Sequence, residues 1–364
     1  MRITRLRLRN FRSYAAADAR LHPGITVIHG RNGAGKTNLL EAIYLACTGA
    51  SFRSASEREL VRFGTEVARV DLDAWAEDGP HSISVGLACG QRRRVSADGA
   101  TAERVADVPG RPLAAVFLPD RLELVKGGPS LRRAHVDQLV AALWPARVAT
   151  RRTYAQALAQ RNALLARRGA DERSLDTWDA ELARHGLTLM DDRRRAVDSV
   201  AARFAELTAG LGLDGDASVA YRPRSPARTR SELSAELRAR RDRDRERGFT
   251  AHGPHRDDLA IRRLGRDLRT FGSQGEQRVA VLALLLAERA AIAEVRGAPP
   301  VMLLDDAMSE LDGTRRERLM AMLEVSGQSV ITATDLAQVP GAEGAGVARL
   351  AVADGVVLSA AEAA

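Results

Sequence analysis

Lysine is nearly missing from this chain. Among 55 basic side chains in 364 residues only Lys36 and Lys126 are lysines, so a position that keeps one has a requirement arginine does not meet. Cysteine is scarce as well. Cys47 and Cys89 are the only two, and they show neither metal-ligand spacing nor a disulfide framework, which argues against a disulfide-stapled secreted fold and suits a reducing compartment. Long apolar runs are absent: stretches such as residues 279–287 fall short of the roughly 20 residues needed to cross a bilayer. The opening, Met1-Arg2-Ile3-Thr4-Arg5-Leu6-Arg7-Leu8-Arg9, alternates basic with apolar side chains and lacks the apolar core of a signal peptide. No internal repeat and no low-complexity linker interrupts the sequence. These absences predict a cytoplasmic protein with no membrane partner. What remains is ordinary globular composition, 45% apolar and 28% charged, with a net charge of +8. A basic surface attracts nucleic acid or anionic membrane. An Arg- and Ala-rich chain can also be basic through genome composition, so the charge alone leaves that question open.

The most informative stretch is Gly30-Arg31-Asn32-Gly33-Ala34-Gly35-Lys36-Thr37. It matches G-x-x-x-x-G-K-[ST], follows an apolar run at residues 25–28, and opens an amphipathic stretch at residues 38–47, so strand, glycine loop and helix are laid end to end. In such a loop backbone N–H groups converge on phosphate oxygens, and the helix N-terminus adds partial positive charge. Lys36 reaches the β/γ-phosphates and Thr37 holds Mg²⁺, so the expected ligand is ATP or another nucleoside triphosphate, bound by residues 30–38 with Asn38 closing the set. A compact ammonium fits there where a planar guanidinium does not, which accounts for one of the two lysines.

Along the chain, residues 3–8 alternate at period two, and Asn10-Phe11-Arg12-Ser13-Tyr14 reads as the turn after a strand expected to pair with an edge of the nucleotide sheet. Residues 66–95 carry further alternation and predict a small antiparallel layer, while residues 113–118 form a continuous apolar run typical of a buried parallel strand. From Pro129 to Arg247 the β-branched residues thin out. Leu139, Leu143, Leu158, Leu164, Leu165, Leu175, Leu182, Leu187 and Leu189 recur at helical spacing, as the inward face of packed helices. The last part, residues 222–247, mixes arginine with Glu232, Glu236, Asp242, Asp244 and Glu246, and reads as a solvated helix face with i,i+4 pairs. Strand character returns after Gly248, and the tail alternates around a turn at Asp354-Gly355. The expected organisation is a discontinuous α/β head, residues 1–125 and 248–364, with a helical arm at residues 126–247.

The second half narrows the chemistry. Asp305-Asp306 closes the apolar run 301–304, placing carboxylates at the C-terminal end of a buried strand, where open α/β sheets bind ligands. Asp305 is the expected Mg²⁺ acid and Asp306 the group that polarises the attacking water, so Lys36, Asp305 and Asp306 form the catalytic set. Ser273-Gln274-Gly275-Glu276 precedes an apolar helix and satisfies the S-x-x-E capping pattern. A Ser-x-Gly turn at a helix N-terminus is also an anion site. In ATPases of the ABC and SMC type such a signature turn meets the γ-phosphate held by the opposing subunit. The run Met308-Ser309-Glu310-Leu311-Asp312 resembles the D-loop of that class, through Ser309 and Asp312.

Taken together, these segments resemble the RecF family of bacterial DNA replication and repair proteins. The likeness is carried by Leu8-Arg9-Asn10-Phe11-Arg12, residues 33–44, Ser51-Phe52-Arg53, Val125-Lys126-Gly127-Gly128-Pro129 with Arg132-Arg133, Gln160-Arg161-Asn162-Ala163-Leu164-Leu165, Gly253-Pro254-His255-Arg256-Asp257-Asp258, residues 273–278 and residues 304–312. Their order and spacing are more specific than any one of them. The resemblance implies an ABC-type P-loop ATPase head, with a mixed sheet, flanking helices and a small antiparallel layer, and an inserted α-helical arm. It implies an ATP-dependent homodimer on gapped, junction or duplex DNA, weak DNA-stimulated ATPase activity, and loading of RecA recombinase with RecR and RecO. His255 and Arg256 match the family without a role that the residues themselves disclose.

Two departures from the broader ABC pattern limit the mechanism. Pro119-Asp120 stand where a glutamine would end the strand, and Thr332 and Thr334 stand where a histidine would contact the γ-phosphate. A hydroxyl senses charge less well than an imidazole, and Asp306 is shorter than the usual glutamate, so slow hydrolysis is expected. Two other classes share the phosphate loop: a nucleotide-binding subunit of a membrane transporter, and a DNA scaffold with a non-hydrolysing site. The basic head and residues 253–258 argue against the first, and the intact Lys36, Thr37 and Asp305 against the second.

Overall fold

The computed structural model describes residues 1–54, 56–167, 171–344 and 346–358. The chain divides into two compact units, Met1–Asp120 with Ile292–Ala364, and Arg121–Ala291. The first unit holds two six-stranded sheets. In one, Ala114–Phe117, Val301–Leu304, Ser329–Ala333, Ile25–His29 and Val347–Ala353 run parallel in that order, and Val356–Leu358 adds an antiparallel edge. Val301–Leu304 and Ser329–Ala333 are buried at every position, as expected for strands covered on both faces.

The other sheet is antiparallel, in the order Tyr14–Arg20, Arg2–Phe11, Val67–Ala76, Gly79–Ala88, Arg94–Ala97 and Ala100–Ala102. It contains the layer expected from residues 66–95, and it also takes the first strand, which does not pair with the nucleotide sheet. The reason lies in its alternation. Ile3, Leu6 and Leu8 are buried while Arg2, Arg7 and Arg9 are exposed, a pattern that suits a sheet with one solvated face and not a parallel sheet covered on both. The helix Lys36–Thr48 packs against strands of both sheets. Leu39, Leu40, Ile43 and Leu45 are wholly buried in the shared core, each worth about 1.5–3 kcal/mol of burial. Gln328 ties the sheets together: its side chain accepts from Ile3 N at 2.8 Å and donates to Ile3 O at 2.6 Å and His22 O at 2.9 Å.

The second unit is built on the helices Pro129–Leu143, Val148–Leu165 and the 39-residue Glu172–Gly210. Leu139, Leu143, Leu165, Leu175, Leu182 and Leu189 are buried as their spacing predicts, while Leu158, Leu164 and Leu187 are half-buried. A three-stranded sheet completes it, with Asp258–Arg263 between Ala217–Arg222 and Arg266–Asp267. Ala217–Arg222 was not expected, and it shifts the partition: Asp258–Arg263 pairs with it in full, and residues 248–291 belong to the same compact unit as the arm helices. Residues 222–247 also depart from expectation. Arg241 and Asp244 are buried, and their partners are remote: Arg241 binds Asp179 at 2.7 Å and Asp176 at 2.6 Å, and Asp244 accepts from Arg161 at 2.8 Å. Within this segment Arg241 and Asp244 thus form a seam between helices, while Glu232, Asp242 and Glu246 remain on an exposed face.

Among the described residues no helix is long and apolar enough to cross a membrane.

Candidate nucleotide-binding site

The strand Ile25–His29 delivers the glycine loop, and the helix Lys36–Thr48 leaves it. Two glycines are dictated by close approach. At Gly30, φ is 150° and a Cβ would stand 2.1 Å from the Val352 carbonyl oxygen; at Gly35, φ is 117° and a Cβ would stand 2.8 Å from the Tyr14 hydroxyl. The loop is braced from behind by contacts that the sequence alone did not show. Tyr14 donates to Gly35 O at 3.1 Å, Asn38 donates to Ser13 Oγ at 2.9 Å, and Gly355 N donates to Ala34 O at 2.9 Å. Glu41 is fully buried, accepting from both arms of the Arg12 guanidinium at 2.7 and 2.8 Å and from Ser51 Oγ. Arg53 donates to Asn38 Oδ1 at 3.0 Å. The strings around Arg12 and Ser51-Phe52-Arg53 thus brace the loop helix. Their one visible signal was an acid, Glu41, inside the apolar run Leu39-Leu40-Glu41-Ala42-Ile43.

No acidic side chain occupies the first turn of the loop helix, which leaves its positive end to an anion. Lys36 folds back on the loop, donating to Gly30 O at 2.6 Å and Arg31 O at 3.0 Å. Burial lowers its pKa, and the facing Asp306 and Asp305 oppose that shift. Thr37 Oγ1 donates to Asp305 at 2.9 Å, joining the loop to the acid at the end of Val301–Leu304. Burial raises the Asp305 pKa, opposed by hydrogen bonds from Thr332 and Thr37. Asp306 adopts a left-handed backbone, φ 49°, and its Oδ1 is buried without a hydrogen-bond partner among the described residues. Its carbonyl accepts from Ser309 Oγ at 2.9 Å. Asp312 caps the helix Gly313–Val325, accepting from Arg315 N at 2.9 Å.

The Asp305 carboxylate, the Thr37 hydroxyl bound to it and the orphaned oxygen of the next residue, Asp306, are hard oxygen donors, the kind Mg²⁺ takes when it keeps waters and shares substrate phosphates. The residues present therefore fit that ion. Thr332 Oγ1 donates to Asp305 Oδ1 at 2.7 Å and accepts from Asp306 N at 2.9 Å, so this hydroxyl is already engaged. Thr334 is half-buried and donates to Gln338 Oε1 at 3.1 Å. The side chains of Pro119 and Asp120, where a glutamine would stand, lie outside the described residues.

The signature residues belong to the second unit. Ser273 N donates to Glu276 Oε2 at 2.8 Å and Glu276 N to Ser273 Oγ at 3.3 Å, so the capping box is formed. Arg263 fixes the other oxygen of Glu276 at 2.6 Å. Ser273 and Gln274 are exposed at the head of the 23-residue helix Gln274–Arg296, with Gly275 and Glu276 half-buried behind them.

Residues 253–258 form a clasp in the same unit. His255 Nε2 meets Thr250 O at 2.9 Å, and a carbonyl only accepts, so the proton sits on Nε2 and Nδ1 accepts from the Tyr154 hydroxyl at 2.7 Å. Burial holds this imidazole neutral, with its pKa lowered to about 4. Asp257 is fully buried, accepting from Arg224 N at 2.6 Å and from the Tyr221 hydroxyl, and Asp258 accepts both arms of Arg132 at 2.6 and 2.9 Å. Arg256 alone among the charged members is exposed, its guanidinium 5.5 Å from the Phe249 ring centre. The function of His255 in the fold is thus structural.

Comparison with known proteins identifies the family and the fold. The family model described as RecF/RecN/SMC N terminal domain matches residues 2–345. A DNA replication and repair protein RecF from Herpetosiphon aurantiacus is 38% identical over 368 residues, covering 92% of this chain and 94% of that protein. The RecF protein of Geobacter metallireducens is 39% identical, covering 92% of this chain and 93% of that one. Among solved structures, the recombination mediator protein RecF-ATP of the RecFOR pathway superposes with a TM-score of 0.85 at 28% identity, covering 98% of this chain and 97% of the other. An Smc head bound to the C-winged helix domain of ScpA shares the fold, with a TM-score of 0.61 at 18% identity, covering 100% of this chain and 99% of that one. The fold is that of an ABC-type ATPase head carrying a long helical arm, and the chain belongs to the RecF family of DNA replication and repair proteins.

Proposed function

We propose that this chain is an ATP-dependent DNA-binding protein that dimerises on DNA at gaps or junctions, hydrolyses ATP slowly, and with RecR and RecO helps load RecA. The observation that carries the reading is the contact of Thr37 with Asp305, which joins the phosphate loop to the acid pair beside the buried Lys36. Lys36 exchanges its two loop carbonyls for substrate phosphates, a swap that its present partners make inexpensive because they are backbone oxygens of the same loop. Thr37 and Asp305 would hold Mg²⁺, which when bound offsets phosphate charge. Asp306, with an oxygen free to accept, orients the attacking water. Ser273, Gln274 and Gly275 would meet the γ-phosphate bound by a second copy, from a turn whose shape the Ser273–Glu276 capping box holds.

Support for DNA comes from the solvated face of the antiparallel sheet. Register places Arg9 beside Arg69, Arg69 beside Gly86, and Gly86 beside Arg94, so three exposed arginines form one row across four strands. Such a row suits a phosphate backbone, and affinity that depends on it falls steeply with salt.

Sedimentation with and without ATP and duplex DNA tests the proposal. ATP is expected to favour a dimer, DNA to strengthen it, and an Asp306→Asn variant to remain closed while turnover drops about 100-fold or more. A protein that stays monomeric at saturating ATP and binds DNA equally with or without nucleotide would overturn it.

A further inference from the structure

Thr332 is the fourth residue of Ser329–Ala333 and is completely buried. Sequence position offered it as a sensor of the γ-phosphate, but its hydroxyl serves two other atoms. It donates its single hydrogen to Asp305 Oδ1 at 2.7 Å and accepts the backbone N–H of Asp306 at 2.9 Å. Both acids are therefore indexed to one oxygen.

The two contacts have different effects. Asp305 takes hydroxyl hydrogens from Thr37 and from Thr332, which together fix its rotamer although the group is buried. At Asp306 the held N–H accompanies a left-handed backbone, a conformation strained for a residue with a Cβ that persists only where neighbours impose it. In this turn Oδ1 of Asp306 is buried and unpartnered among the described residues. A polar atom kept in that state is either a defect or a reserved position. Asp306 follows the Thr37-bound Asp305 directly in the chain and its charge acts on Lys36, which makes it the latter.

We propose that Thr332 is a positioning residue for the acid pair: one hydroxyl sets the orientation of Asp305 toward the ion and holds the turn that keeps Asp306 available to water. The proposal rests on the nucleotide reading given above. Thr332→Val keeps the shape and removes the hydroxyl, whereas Thr332→Ser keeps the hydroxyl and removes a methyl. The valine variant is expected to lose about 10–100-fold in kcat with KM for ATP nearly unchanged, and the serine variant to recover most of that loss. Calorimetric titration gives a readout independent of turnover. In the valine variant the strengthening of ATP binding by Mg²⁺ should shrink about 10-fold or more, while ATP binding without Mg²⁺ is unaltered. If valine unfolds the protein, Thr332→Ala repeats both measurements without introducing a new methyl beside Asp306.

The outcomes separate cleanly. Wild-type kcat and wild-type Mg²⁺ dependence in the hydroxyl-free variants overturn the role of Thr332 while leaving the nucleotide reading intact. Equal losses in the serine and valine variants overturn it as well, since packing alone would then explain both. Failure of the unsubstituted protein to bind ATP at all overturns the nucleotide reading, and the role of Thr332 with it.

Discussion

Each unit buries charge, but the two do it for opposite ends. In the second unit Arg161 is fully buried and every arm is used: it binds Asp179 at 2.6 Å, Asp244 at 2.8 Å, Thr250 at 2.7 Å and the Leu237 carbonyl at 3.3 Å. Arg241 then takes the second oxygen of Asp179 at 2.8 Å. In the first unit Lys36 leans on carbonyls of its own loop, and Asp306 keeps an oxygen with no partner among the described residues. Saturated charge makes a rigid seam between helices. Unsaturated charge makes a site, because a ligand can bring the missing partners and gain what the apo state withholds.

That contrast predicts which substitutions remove function and which remove the fold. The largest effect belongs to the open cluster: Lys36→Arg should bind ATP poorly and lose turnover by about 100-fold or more, without a matching loss of urea stability. Wild-type turnover in that variant would contradict the assignment of the loop. The closed cluster should behave in reverse. Arg161→Met leaves Asp244 and Asp179 short of a partner and should cost about 3–5 kcal/mol in urea unfolding, as for a broken buried ion pair. A near-neutral Arg161→Met would mean that the seam is better solvated than its burial indicates.

A smaller effect concerns His255, which the folded chain holds neutral with a pKa near 4, well below the ordinary histidine value. The unfolded chain takes up its proton first, so the contribution is present above about pH 6.5 and is lost as pH falls toward 4, by at most about 3 kcal/mol. Urea midpoints at pH 7 and pH 5 should therefore differ. His255→Asn should lower the midpoint at pH 7 and narrow that difference. A pH dependence unchanged by the substitution would place the titration elsewhere.

The part of the site legible in sequence is the part that is local. Residues 30–37 declare themselves because strand, glycines, lysine and helix must follow one another, and Ser273 with Glu276 do so because a capping box spans a single turn. The acid pair was legible from the run of apolar residues that ends at it. Tyr14, Arg12 and Thr332 were not, or not in their actual roles, since each acts on a residue that only folding brings near. The same limit explains the errors in the arm. Reading residues 222–247 for i,i+4 pairs looked along a helix when the partners lay across it, and Ala217–Arg222 is too short and too small-sided to announce a strand before its neighbour Asp258–Arg263 is known.

One of those distant contacts bears on how the protein is made. The strand Val347–Ala353 lies alongside Ile25–His29, the Val352 carbonyl faces Gly30, and Gly355 N holds the Ala34 carbonyl. The phosphate loop leaves the ribosome well ahead of the segment that forms its back wall. A nascent or prematurely terminated chain therefore carries the full nucleotide motif without the surface that shapes it. The shape of the loop therefore waits on the synthesis of a segment remote from it in the chain.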